Sequence, residues 1–148
     1  MIKNNDDEKV IIYTDGGCRG NPGPGGWGAV LEYQKTKKTI KGYMEMTTNN
    51  KMELTAAIEA LKILKRPCKI DLWTDSTYVK DGITIWINNW IKKNWPKKIK
   101  NQELWKELHE QNGRHDIKWH WVKGHSLNPG NELADALANQ AMDEAKNI

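Results

Sequence analysis

Short apolar runs and longer helical stripes alternate along this chain. Val10-Ile11-Ile12-Tyr13 leads into Thr14-Asp15, and Ile70-Asp71-Leu72-Trp73 leads into Thr74-Asp75. Runs rich in Val, Ile, Tyr and Trp read as strands covered on both faces. The pattern predicts strand one over 10–15 and strand four over 69–75. Between them, WGAVLEY (27–33) and KKTIKGYMEM (37–46) read as two further strands, forming an antiparallel meander. The intervening GGCRGNPGPGGWG (16–28) is too rich in Gly and Pro for a regular element. Helical periodicity starts near Thr48-Asn49, which offer caps. Leu54, Ala57, Ile58, Leu61 and Leu64 then form a stripe, and Pro67 ends the helix.

Beyond strand four, Ser76 can cap a short helix through Val79 and Lys80 that stops near Gly82. Ile83, Trp86, Ile87, Trp90 and Ile91 recur at helical spacing, and QELWKELHEQ (102–111) turns Leu104, Trp105 and Leu108 inward. IKWHWV (117–122) alternates as a fifth strand, KGHSLNPG (123–130) is a loop, and NELADALANQAMDEA (131–145) is a final helix. A meander followed by mixed strands and helices points to one α/β or α+β domain with a mixed sheet. There is no repeat and no linker.

Composition narrows the class. The chain has 148 residues, 28% of them charged, and a mean hydropathy of −0.80, as expected of a soluble domain with its own core. No apolar stretch has the length of a membrane span. The polar start, MIKNNDDEK, is unlike a secretory signal and reads as a frayed tail over 1–9. Cys18 and Cys68 are the two cysteines, too few for a disulfide framework or zinc knuckle; a reducing, cytoplasmic setting is expected. Net charge is +4 but uneven: the span between Asp81 and Glu103 holds Lys92, Lys93, Lys97, Lys98 and Lys100 and no acid. Trp86, Trp90 and Trp95 fall in the same span. A local basic patch is what a polyanion partner requires.

Four acids carry the candidate chemistry. Asp15 and Asp75 close the two Thr-Asp strands, where a sheet rim would aim both at one spot. Like charges gather only when something positive holds them, so a divalent-metal site is the first hypothesis. Glu53 lies at the edge of the helical stripe, where it either snorkels beside a lysine or needs another partner. Asp135 sits early in the last helix, where an acid also suits the helix dipole, as does Glu132. His125 occupies a Gly- and Pro-flanked loop about ten residues before Asp135, from which an imidazole can carry protons. His109, His115 and His120 read as surface residues. Gly23-Pro24-Gly25-Gly26-Trp27-Gly28 matches a dinucleotide-binding pattern, but strand-like sequence follows it where a helix is required, so it is read as a hairpin turn.

The stretches YTDGGCRGNPGPGGWGA, TTNNKMELTAAIEAL, TDSTYVKDGITIWINNW and WVKGHSLNPGNELADALA, in this order over roughly residues 10–143, closely resemble bacterial type 1 ribonuclease H. The resemblance implies the α/β ribonuclease H-like fold, a five-stranded mixed sheet with helices on both faces, in a single domain over 1–148. It implies an endonuclease that hydrolyses the RNA strand of RNA–DNA hybrids, acts as a monomer, and leaves 5′-phosphate and 3′-hydroxyl ends. Carried over by position, Asp15, Glu53, Asp75 and Asp135 bind two Mg²⁺ ions, for which Mn²⁺ can substitute, and His125 assists catalysis or product release. Asn21, Thr48, Asn49 and Asn50 contact the hybrid backbone and minor groove. Trp86, Asn89, Trp90, Lys92, Lys93, Lys97 and Lys98 belong to a basic handle, residues 83–100, that grips the DNA strand. Oxygen-rich acids rather than His or Cys suit Mg²⁺.

The chain departs from the family pattern at Gly17, Thr77 and Ile91, and in a shortened stretch between Trp95 and Leu104. Two rivals stand beside this reading. A catalytically dead hybrid binder has no use for clustered negative charge facing phosphate. Another nuclease of the superfamily, such as a resolvase or integrase-like protein, would lack the GNPGPGG turn and the handle. Trp86 and Trp90 serve either as core packing or as contacts to the DNA strand, and the lysine run is either a solvated face or a binding surface.

Overall fold

The computed structural model describes residues 8–124 and 128–146. β1 (Val10–Cys18), β2 (Gly23–Tyr33) and β3 (Thr36–Thr47) form the expected antiparallel meander. After α1 (Asn49–Lys62), β4 (Lys69–Thr74) returns parallel to β1. The chain then runs through α2 (Thr77–Asp81), a π-helical stretch (Gly82–Trp86), α3 (Ile87–Lys92) and α4 (Gln102–Arg114). β5 (Asp116–Trp121) lies parallel to β4, and α5 (Pro129–Lys146) closes the fold. The sheet order is β3-β2-β1-β4-β5, so the meander and the two parallel strands share β1. The expected five-stranded mixed sheet is present. Among the described residues, no helix is long and apolar enough to cross a membrane.

The strand pattern dictates the layers. Ile12, Ile70 and Leu72 are buried with Leu54, Ile58 and Leu61 of α1 and Trp105 and Leu108 of α4. Successive strand residues point to opposite faces. A Cβ at Gly25 would press on Met52 of α1, whereas at Gly26 and Gly28 it would strike the carbonyls of Ala138 and Ala134 of α5. α1 and α5 therefore flank the sheet. The glycines are needed because α5 lies backbone-close on β2, where any side chain would wedge the layers apart.

Three departures from the sequence expectation bear on how the layers pack. Part of the Gly/Pro segment is regular: residues 16–18 extend β1, residues 23–26 open β2, and Gly16 pairs with Trp27, Gly17 with Gly26 and Cys18 with Gly25. The dinucleotide-like pattern thus lies within a strand. α1 ends at Lys62, before Pro67, with its last turn closed by Leu64 N–H on Leu61 C=O at 3.3 Å. The helical run does not stop at Gly82 but passes through it in right-handed geometry, and a π-helical turn carries the chain into α3. The Trp105 ring is the cause: it packs where a Gly82 side chain would be, so Gly82 serves close approach rather than termination. The expected tail over 1–9 lies largely outside the described residues.

Gly82→Ala is therefore expected to destabilise the protein by about 1–3 kcal/mol through overpacking. Gly113, in α4, has open space where a Cβ would project, with nothing within 4 Å. Gly113→Ala should stabilise by about 0.5–1 kcal/mol by helix propensity alone. Urea-unfolding midpoints of the two variants should move in opposite directions; a neutral Gly82→Ala would contradict the Trp105 packing.

Candidate metal centre and nucleic-acid interface

The parallel pairing of β1 and β4 ends with Thr14 beside Thr74, so Asp15, still paired with Gly28 of β2, and Asp75, just past the end of β4, lie next to one another. Glu53 reaches them from the first turns of α1. That helix starts where it does because Thr48 caps it, its Oγ1 accepting the Lys51 N–H at 3.2 Å. α1 comes in so close that a Cβ on Gly16 would strike the Met52 and Glu53 backbone. One carboxylate oxygen from each of Asp15, Glu53 and Asp75 lies within 4.8 Å of the others. Asp135, in α5, borders this trio, near enough to Asp15 to raise its pKa. α5 is started by Asn128, whose Oδ1 accepts the Asn131 N–H at 2.9 Å, with Pro129 as first helical residue. The structure brings all four predicted acids together, and Glu53 pairs with no lysine among the described residues.

The cluster is electrostatically costly without a cation. Burial, the neighbouring Asp135 carboxyl and the Asp75 charge push the Asp15 carboxyl up to about 9. Burial, then the charges of Asp15 and Asp75, hold Glu53 well above the usual carboxylate range; the Gly16 backbone N–H, donating to Glu53, opposes this. Glu53 Oε1 and Asp75 Oδ1 are shut off from solvent and accept no hydrogen bond. An orphaned buried oxygen costs about 1–3 kcal/mol, more when charged. A hard divalent cation supplies what both atoms lack and cancels the repulsion, so the donor set fits one. Asp15, Glu53 and Asp75 could hold a metal ion.

The predicted hybrid-contacting residues fall into two groups. Asn21, Asn49 and Asn50 are exposed near the start of α1, where Asn21 Oδ1 accepts the Asn49 N–H at 3.3 Å. Thr48 is half-buried there as the cap. In the second group, Asn89, Lys92, Lys93, Lys97 and Lys98 are exposed. The two tryptophans divide. Trp86 is 38% exposed, while Trp90 packs on the core, edge-on to Trp105 with centroids 5.3 Å apart. His125 lies outside the described residues.

Two histidines are not the surface residues expected. His115 is buried, its Nδ1 accepting the Cys68 N–H at 3.0 Å, and desolvation lowers its pKa. His120 Nε2 lies 2.8 Å from Asp71 Oδ1 while its ring stacks on Trp73 at 4.3 Å. Residues opposite one another on neighbouring strands set this pair, and no single run of sequence displays it. Sequence reasoning also misses Gly16 and Trp121. Gly16 lets α1 close on the site, and Trp121 Nε1 donates to the Asp75 carbonyl at 3.1 Å, fixing the end of β4. The strand alternation of Trp119 and Trp121 is visible in the chain, but the partner is not.

The raised carboxyls make a signed prediction. A group whose folded pKa lies above its unfolded value contributes stability at low pH, and that contribution is lost as pH rises through the folded value. In EDTA, the unfolding free energy should therefore fall between pH 7 and pH 9 by up to about 1.4 kcal/mol per pH unit per proton, and the melting temperature should fall with it. Asp15→Asn should raise the metal-free melting temperature and flatten that slope. A lower melting temperature for the variant would make Asp15 a structural residue.

Comparison with known proteins agrees with this geometry. The RNase H family matches residues 7–143. Ribonuclease H of Chromohalobacter salexigens is 59% identical over 143 residues, covering 94% of this chain and 87% of that protein. Ribonuclease H of Hydrogenovibrio crunogenus is 60% identical over 141 residues, covering 93% of this chain and 97% of that protein. Among solved structures, LC9-RNase H1, a type 1 RNase H with the type 2 active-site motif, superposes with a TM-score of 0.86 at 32% identity, covering 93% of this chain and 73% of that one. LC11-RNase H1, solved in complex with an RNA/DNA hybrid, gives 0.71 at 26% identity, covering 92% of this chain and 98% of that one. With the family matched over nearly the whole chain and relatives near 60% identity, this protein belongs to the ribonuclease H family.

Proposed function

We propose that this protein is a monomeric, cytoplasmic endonuclease that hydrolyses the RNA strand of RNA–DNA hybrids, leaving 5′-phosphate and 3′-hydroxyl ends. The observation that carries the proposal is the trio of carboxylates within 4.8 Å, two of whose buried oxygens have no partner. Mg²⁺, with Mn²⁺ as substitute, is the cation proposed for Asp15, Glu53 and Asp75, with Asp135 completing the set around a second ion. Two such ions supply, when bound, Lewis acidity toward the scissile phosphate and an activated water. The family relationship and the hybrid complex of LC11-RNase H1 support the substrate.

The chain's own residues divide the remaining work. The rigid β1–β4 pair and α1 hold the acids at fixed spacing, so no reorganisation is needed when substrate arrives. Asn21, Thr48, Asn49 and Asn50 present amides, a hydroxyl and backbone groups toward a minor groove, where 2′-hydroxyls distinguish RNA from DNA. Trp86 offers a flat apolar face to a sugar lacking that hydroxyl. Asn89, Trp90, Lys92, Lys93, Lys97 and Lys98 complete the handle. Its lysines contribute affinity without sequence preference, and Trp90 is mainly the packing that supports Trp86. His125 is proposed to move protons during cleavage or product release.

A labelled RNA strand presented single-stranded, in RNA–RNA and in RNA–DNA should be cut only in the last and only with a divalent metal. Cleavage of single-stranded RNA at a comparable rate would overturn the assignment. Asp15→Asn should abolish Mg²⁺-dependent cleavage while far-ultraviolet circular dichroism is unchanged. Replacing Lys92, Lys93, Lys97 and Lys98 by Ala should raise KM for hybrid and lower the slope of log KM against log salt, by up to about 0.7–0.9 for each lost phosphate contact. An unaltered salt slope would remove the handle from the binding surface.

A further inference from the structure

The turn between β1 and β2, residues 19–22, is held from two directions. Toward α1, Asn21 Oδ1 accepts the Asn49 N–H. Toward α5, Arg19 Nη1 lies 2.7 Å from Asp143 Oδ1, and Nη2 donates to Asn139 Oδ1 at 3.4 Å. Asn139 donates in turn from Nδ2 to the Asp135 carbonyl at 3.0 Å. Asp135, Asn139 and Asp143 are spaced four apart and share one stripe of α5. Inside the turn, the Cys18 thiol donates to the Gly20 carbonyl at 2.7 Å, and Arg19 N–H donates to the Pro24 carbonyl at 2.8 Å. Two of the turn's backbone groups are thus bonded locally, and the Arg19 side chain reaches across to the helix.

We infer that Arg19 is a positioning residue: it clamps the turn carrying Asn21 to the helix carrying Asp135. The inference rests on the hybrid-cleaving reading, because it ties a substrate-contacting residue to an acid-bearing element. Asn21 leaves a turn that bends through Gly20 at φ +78°, with no sheet pairing of its own. An exposed ion pair adds little to global stability. Its consequence here is geometric, since it fixes one end of a short turn whose other end is fixed on α1. The guanidinium already faces the Asp143 carboxylate, so it acts through the turn and not as a free phosphate contact. Its two nitrogens are directed at Asp143 and Asn139, two and one helical turns along α5 from Asp135, rather than at the clustered acids.

Steady-state cleavage of an RNA–DNA hybrid with Mg²⁺ tests the clamp on wild type, Arg19→Ala, Asp143→Ala and the exchanged pair Arg19→Asp/Asp143→Arg. Both single variants should raise KM about two- to five-fold, the size an exposed ion pair can transmit, with kcat and melting temperature nearly unchanged. The exchanged pair should return KM toward wild type. An unchanged KM in Arg19→Ala, a lower KM in Asp143→Ala, or an exchanged pair no better than the singles would each overturn the clamp. Amide hydrogen exchange without substrate separates the two readings. Faster exchange at residues 19–21 in Arg19→Ala is expected, and unchanged exchange overturns the clamp whether or not the wild type cleaves hybrid. A wild type that cuts no hybrid sinks the functional reading instead.

Discussion

Burying like charges side by side is the constraint around which this structure is organised. Asp15, Glu53 and Asp75 are brought within 4.8 Å although burial and the neighbouring charges disfavour the ionisation of Asp15 and Glu53. Only neighbours that cannot give way will hold such a group. β1 and β4 are hydrogen-bonded in the middle of the sheet, and α1 rests on Gly16 with no side chain between. The core behind them, with Ile12, Leu54 and Leu72 fully buried, supplies the cohesive energy that offsets the repulsion. Stability given up at the rim is the condition for a pre-formed cation site.

The same logic of close approach shapes the rest of the molecule. α5 lies on β2 through Gly26 and Gly28, which brings Asp135 to the trio. Trp105 lies on Gly82, and the π-helical turn there redirects the chain into the lysine-bearing segment. Tyr78, Trp86, Trp90, Trp95 and Trp105 form a connected set of ring contacts beneath that segment. Packing and the proposed DNA-strand contact are therefore consecutive parts of one aromatic cluster: the buried rings support the exposed one. Trp86 and Trp90, for which the sequence leaves packing and contact equally open, take different shares of that work.

The residues proposed for recognition and for chemistry sit on different elements that must keep register. The amides near α1, the acids at the sheet rim and the lysines beyond α3 come from separate stretches of chain. The α1 start is tied to the β1–β2 turn by Asn21 and capped by Thr48, so the proposed substrate contacts and Glu53 share one helix. A substrate that must meet several separated contacts at once is selected by shape as much as by any one hydrogen bond.

Much of this is legible in the chain. Strand and helix identities follow from the apolar periods, because alternation and the 3.6-residue stripe are local consequences of backbone geometry. The rim position of Asp15 and Asp75 follows from the same strands, and the longer motifs around the four acids point to the family. What the periodicities leave unsettled has one physical character: it depends on two distant stretches meeting. Glu53 could be a surface acid but for α1 lying on Gly16. Gly82 looks like a helix stop until Trp105 is found in its place. His115 and His120 look solvated until Cys68, Asp71 and Trp73 are found against them. The sequence by itself determined which residues are apolar, the order and type of the elements and which acids they carry. Only the tertiary structure decided which backbones touch and which charges share a site, because those distances are set by packing between elements and not by spacing along the chain.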